Sequence, residues 1–121
     1  MKEKGQSLFL AAWLLAGSLT LGAAWTSVRL TNTTGTSANP EIAVSGSNVY
    51  VVWQDDQWGN FEIYFRKSKD GGTTWLTAAR RTNNSGWSAN PRLAVNTTQV
   101  FIIREDDTPG NKEIYLKYSP L

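Results

Sequence analysis

The chain has 121 residues, enough for one domain, and a formal net charge of +2 from 12 Lys+Arg and 10 Asp+Glu. With no Cys and no His it excludes disulfides, thiol nucleophiles, histidine bases and the commonest zinc ligands. No basic stripe marks a nucleic-acid partner. Six Trp, four Tyr and four Phe stand among many Thr, Asn, Ser and Gly residues, a mixture that suits short strands and turns better than helices.

Lys2 and Lys4 precede an apolar run over residues 8–24, interrupted only by glycines, Ser18 and Thr20. Gly22-Ala23-Ala24 supplies small residues where a signal peptidase reads. The layout predicts a secretory signal peptide cut after Ala24. The rival is an uncleaved anchor, in which residues 8–24 would be the chain's only membrane contact. Seventeen residues sit at the short end for spanning a bilayer. A buried core helix fits less well, because the run is apolar on all faces. Either leading reading places the protein outside the cytoplasm, secreted or at the cell surface, with 1–24 as signal or anchor and 25–121 as the folded part.

The remainder repeats itself. Residues 29–70 align with 80–121 at an offset of 51, without gaps, with 19 identities over 42 positions. Ser37-Ala38-Asn39-Pro40 returns as Ser88-Ala89-Asn90-Pro91, and Asp55-Asp56 with Gly59-Asn60 returns as Asp106-Asp107 with Gly110-Asn111. Glu62-Ile63-Tyr64 returns as Glu113-Ile114-Tyr115. A period near 50 fits a four-stranded propeller blade. The expected fold is all-β: two antiparallel blades of about four strands, over 29–79 and 80–121, forming an incomplete propeller behind the N-terminal helix.

First strands are expected over 40–44 and 91–95, each opening on a proline whose missing N–H is harmless there. Second strands are expected over 48–54 and 99–105. In the first of these, Val49, Val51 and Trp53 alternate with Tyr50 and Val52, so both faces are apolar, as in a sheet sandwiched between neighbours. Third strands are expected over 61–67 and 112–118, a fourth over 75–81, and an outer strand of the same register over 26–31.

Between the third and fourth strands lies Ser68-Lys69-Asp70-Gly71-Gly72-Thr73-Thr74-Trp75. Gly71 and Gly72 can take the positive φ angles of a tight hairpin. Asp70 can fold onto nearby N–H groups, Ser68 and Thr73 or Thr74 can add hydroxyl bonds, and Trp75 offers an apolar anchor. The order Ser-x-Asp-x-Gly-x-Thr-Trp resembles the Asp-box, or BNR repeat, of sialidase-like β-propellers. In the second copy Ser119-Pro120-Leu121 stands where the next Asp-box would begin. Two blades cannot close a ring of about four to eight. The chain is therefore expected to be a fragment that lacks further blades, to self-associate, or to tolerate open edges. The first is favoured because the stop falls inside a motif.

The resemblance implies that a ligand site lies at the end opposite the Asp-box. There the sequence places Asp55, Asp56, Trp58, Asp106, Asp107 and Trp87. Trp58 and Trp87 are not repeated, Pro109 and Thr36 holding their places, and an exposed Trp can stack on a sugar or anchor a protein. The plainer alternative packs each indole on its own loop or on a neighbouring blade. The repeated Asp pair reads as a turn device. Its sharper alternatives are a Ca2+ site, the one cofactor the residues suggest, and an acid–base pair for glycoside hydrolysis.

Sialidases, by that resemblance, use an arginine triad, a Tyr–Glu nucleophile pair and an Asp acid from blades around the ring. No Arg-Ile-Pro motif is present here, and no catalytic residue carries over. Arg92 and Arg104 break the repeat, replacing Glu41 and Trp53, and read as anion binders or, more plainly, as surface or interblade ion-pair partners, while Tyr64 and Tyr115 recur with the fold and read as core or interblade packing. The expected function is an exported, non-catalytic propeller segment that binds a glycan or an extracellular protein, or scaffolds. The alternative is part of a sialidase-like exo-glycosidase. Sequons begin at Asn32, Asn83 and Asn96.

Overall fold

The computed structural model describes residues 22–121. The chain divides into two units, 1–30 and 31–121. In the first, residues 22–30 form neither helix nor strand, and the expected signal helix falls almost wholly outside the described residues. Among the described residues, no helix is long and apolar enough to cross a membrane.

The second unit is all-β, with two antiparallel sheets and no closed barrel. Sheet 1 orders β1 (Ser37–Ser45), β2 (Asn48–Asp55), β3 (Glu62–Ser68) and β4 (Ala79–Arg80) side by side. Sheet 2 orders β5 (Ser88–Val95), β6 (Gln99–Asp106) and β7 (Glu113–Pro120) in the same way. The repeat maps β1 onto β5, β2 onto β6 and β3 onto β7. No helix occurs among the described residues.

Both first strands start at serine, three residues before the expected proline. The ladder shifts between Ala38 and Glu41, and again between Ala89 and Arg92. These bulges hold Asn39-Pro40 and Asn90-Pro91, with both asparagines at φ 50. Asn is among the few non-glycine residues that tolerate this region, and Pro has no N–H for the ladder to lose.

Three expected boundaries move. The fourth strand is two residues long instead of covering 75–81, pairing Ala79 with Phe65 and Arg80 with Tyr64. Trp75 lies outside it: its indole N–H donates to the Gly72 carbonyl at 2.9 Å and closes the hairpin, while the next N–H, of Leu76, donates to the Lys67 carbonyl at 2.9 Å. Residues 26–31 form no strand. Finally, β7 runs through Ser119 to Pro120, pairing with Val100 and Gln99, instead of turning there.

The two sheets stack through one face of each. Tyr50, Val52, Ile63 and Phe65 of sheet 1 enclose Val100 and Ile102 of sheet 2, with Leu93 and Val95 at the margin. Period-2 alternation places the first four on a single face, and the register between β2 and β3 runs without a shift. Fully burying each such side chain stabilises by about 1.5–3 kcal/mol. Along the first strands a polar ladder fixes the stacking. The Asn39 amide donates to Asn90 Oδ1 at 2.8 Å, and Gln54 Oε1 accepts from the Asn39 amide and the Asn90 N–H, each at 2.8 Å. Arg92 pairs with Glu41.

Ile63 is fully buried in this contact and Leu76 is half exposed at the Asp-box end. Ile63→Ala is expected to cost about 2–5 kcal/mol. Leu76→Ala is expected to stay within about 0.5 kcal/mol. Urea unfolding of both variants checks the contrast.

Candidate functional site

The turns of the second unit gather at two ends. At one, the Gly71 N–H donates to the Ser47 carbonyl at 2.8 Å and ties the Asp-box hairpin to the β1–β2 turn. Gly71 and Gly72 take φ 68 and 92, where a side chain is costly. Asp70 is the hub. Its carboxylate accepts the Ser68 hydroxyl and the Thr74 N–H, both at 2.8 Å, and also the Thr74 hydroxyl. Buried Ser68 accepts the Gly72 N–H at 2.8 Å. The Thr74 hydroxyl and N–H, then the Ser68 hydroxyl, hold the Asp70 carboxyl at about 2, below its ordinary 3.8. Ser68, Asp70, Gly72, Thr74 and Trp75 thus bind one another, and the hairpin is held by its own groups.

At the opposite end, the β2–β3 and β6–β7 turns meet the segments entering β1 and β5. Asp55 is buried and accepts the Ser37 hydroxyl at 2.6 Å, the Thr33 hydroxyl at 3.0 Å and the Gln57 N–H at 2.9 Å. Asp106 repeats this with the Ser88 hydroxyl at 2.9 Å, the Asn84 amide at 2.8 Å and the Thr108 N–H at 3.0 Å. It adds an ion pair to Arg104 at 3.2 Å. Asp56 accepts the Thr36 N–H at 2.7 Å and Asp107 the Trp87 N–H at 2.6 Å. Gly35 and Gly86 lie so close beneath that a Cβ would come within 2.4 Å of the Gln57 nitrogen and 2.5 Å of the Thr108 nitrogen. Each Asp pair therefore clamps a turn to the segment that enters the same sheet.

This geometry bears on chemistry. Burial pushes the Asp106 carboxyl up. The hydrogen bonds from Thr108, Ser88 and Arg104 outweigh that effect and hold it at about 2. A general acid working near neutral pH needs the opposite shift. Among the described residues, no group of three or more His, Cys, Asp or Glu side chains could hold a metal ion. The arginines here are engaged: Arg80 with Glu62 at 2.9 Å, Arg92 with Glu41, and Arg104 with Asp106 and the face of Tyr115. Tyr64 is buried and stacks on Trp53.

The two indoles remain. Trp58, in the β2–β3 turn, is 71% exposed. Trp87, just before β5, is 56% exposed and rests edge-on against Phe61 at 5.3 Å. The Asn60 amide between them donates to the Asn84 and Gly86 carbonyls. Trp58 and Trp87 thus stand on adjoining loops joined through Asn60 and Phe61. One polar centre was not foreseen from the sequence. Glu62 is fully buried and accepts the Asn60 amide at 3.2 Å, the Asn84 N–H at 2.9 Å and Arg80. Its signal was present, since Arg29 and Arg80 recur in step with Glu62 and Glu113.

No family model matches the chain, and neither a curated protein nor a solved structure matches it.

Two outcomes follow from the clamps. Gly35→Ala and Gly86→Ala force backbone apart and should each cost about 1–3 kcal/mol in chemical denaturation. The pH dependence has a definite sign. Asp70 and Asp106 are more acidic folded than unfolded, so the unfolded chain binds more protons in acid. Their contribution is complete above about pH 4 and is lost as pH falls towards about 2. Asp70→Asn should flatten the loss of urea resistance across this window, and an unchanged slope would contradict the assignment.

Proposed function

We propose that this chain is an exported Asp-box β-propeller segment that carries out no reaction and binds carbohydrate at the end away from the Asp-box. The observation that carries the reading is the pair of exposed indoles, Trp58 and Trp87, on loops whose carboxylates are bound inward. An indole offers a flat apolar face for the CH face of a sugar ring and an N–H for its hydroxyls. Loops pinned by Asp55, Asp56, Asp106 and Asp107 hold those faces in place before a ligand arrives, which lowers the ordering cost of binding. Export rests on the run over residues 8–24, and the propeller reading on the 51-residue repeat and the Asp-box.

The test is binding to a glycan array, followed by Trp58→Ala and Trp87→Ala. A stacking anchor removed from the centre of a small site costs about 2 kcal/mol or more, about 30-fold in affinity. Each substitution should cause a loss of that size while the urea midpoint stays put. Array binding that survives both substitutions would remove the platform, and binding confined to an extracellular protein would replace the sugar with a protein partner.

A further inference from the structure

The internal stacking of the two sheets uses one face of sheet 1, and sheet 2 carries a copy of that face which nothing covers among the described residues. Moving by 51 positions takes Tyr50, Val52, Ile63 and Phe65 to Phe101, Ile103, Ile114 and Leu116. The first set is buried against sheet 2. In the second, Ile103, Ile114 and Leu116 are 43%, 66% and 61% exposed. A groove of about 340 Å3 runs there past Asn90, Arg92, Ile103, Glu105 and Ile114. These are the counterparts of Asn39, Glu41, Val52, Gln54 and Ile63, the residues on which sheet 2 sits. The complementary surface recurs in part: sheet 2 docks through Val100 and Ile102 with Leu93 and Val95 at the margin, and on sheet 1 the counterparts of the margin, Ile42 and Val44, are exposed, while those of the centre, Val49 and Val51, are buried.

We propose that the open face of sheet 2 is a docking surface for a second copy of this chain, which adds its own first sheet head-to-tail as sheet 2 adds to sheet 1.

Charge selects this occupant. The internal contact sets Glu41 against Arg92. At the next contact the receiving sheet presents Arg92 and the incoming copy presents Glu41, so opposite charges meet again. Glu105 extends the polar ladder. It holds the position of Gln54 one repeat on, where Gln54 takes the N–H of the following sheet's asparagine, and its carboxylate pairs with Lys112 at 2.9 Å. The fourth strand points the same way. β4 flanks β3 and then leads into β5, whereas no fourth strand flanks β7 among the described residues. Residues 28–31 stand one repeat before 79–82 and lead into β1, so an incoming copy carries the sequence counterpart of the strand missing beside β7. The contact is heterologous, and on the propeller reading proposed above repeated rotation closes it into a ring of about two to four copies, which supplies the about four to eight blades of known propellers.

Because the chain has no cysteine, single thiols report the contact cleanly. Full chains bearing Glu41→Cys and full chains bearing Arg92→Cys are mixed and treated with a short bis-maleimide. An exposed ion pair adds little affinity, so its replacement leaves the apolar docking in place. The mixture should give a two-chain product on a denaturing gel, and neither variant alone should give one. Adding Ile114→Lys with Leu116→Asp to the Arg92→Cys chain should abolish the product, because that chain supplies the receiving face. The same pair on the Glu41→Cys chain should leave it. Absence of a product between chains that retain their β circular dichroism would overturn the proposal. So would a product indifferent to which chain carries the face substitutions.

Discussion

Everything in this structure depends on the contact that buries Tyr50, Val52, Ile63 and Phe65 against Val100 and Ile102. A β-sheet apolar on one face can leave the other in water. A sheet apolar on both faces must be sandwiched. In β2 both alternating sets are apolar, so sheet 1 does not stand alone, and the second copy of the repeat supplies one of the covers. Because the two sheets are copies, the contact is made between unlike faces of equivalent sheets, which is the geometry of stacking by rotation. Its register is set by Asn39, Asn90 and Gln54, polar groups that have good partners in only one alignment.

The ends of the sheets are organised by carboxylates used as clamps. Asp70 gathers the donors of its own hairpin, while Asp55 and Asp106 gather hydroxyl, amide and N–H donors from the segments entering β1 and β5. The consequence for function is subtractive. The Asp70 and Asp106 carboxyls are held at about 2, so neither keeps a proton to donate near neutral pH. What the loops offer to solvent at the far end is the aromatic surface of Trp58 and Trp87.

Much of the fold was legible in the sequence because the repeat imposes a test that single strands do not. Glu62-Ile63-Tyr64 and Glu113-Ile114-Tyr115 had to occupy the same place in two sheets, and they do. The asparagine–proline bulges were not foreseen. A left-handed Asn before Pro departs from the usual preference of a pre-proline residue, and only the ladder between sheets explains its retention. The short fourth strand was not foreseen because Trp75 has the composition of a strand residue, while its indole is taken by the Gly72 carbonyl. Of the candidate site, the exposure of Trp58 and Trp87 could not be read from sequence, since burial of an aromatic is a tertiary property. The buried Glu62 centre escaped for a different reason. A glutamate in a strand reads as a solvent-facing residue until Arg80, Asn60 and Asn84 are brought round it from three other segments.

The face that sheet 1 buries against sheet 2 recurs exposed on sheet 2, and the occupant proposed for it is a second copy of this chain. The mass of the particle in solution tests this most directly. Sedimentation equilibrium of the purified protein should give one discrete species at an integral multiple of the protomer mass, about two to four on the proposed propeller reading, in which about four to eight blades close a ring. A single protomer that persists on raising the concentration would contradict the account, as would an open-ended distribution of sizes.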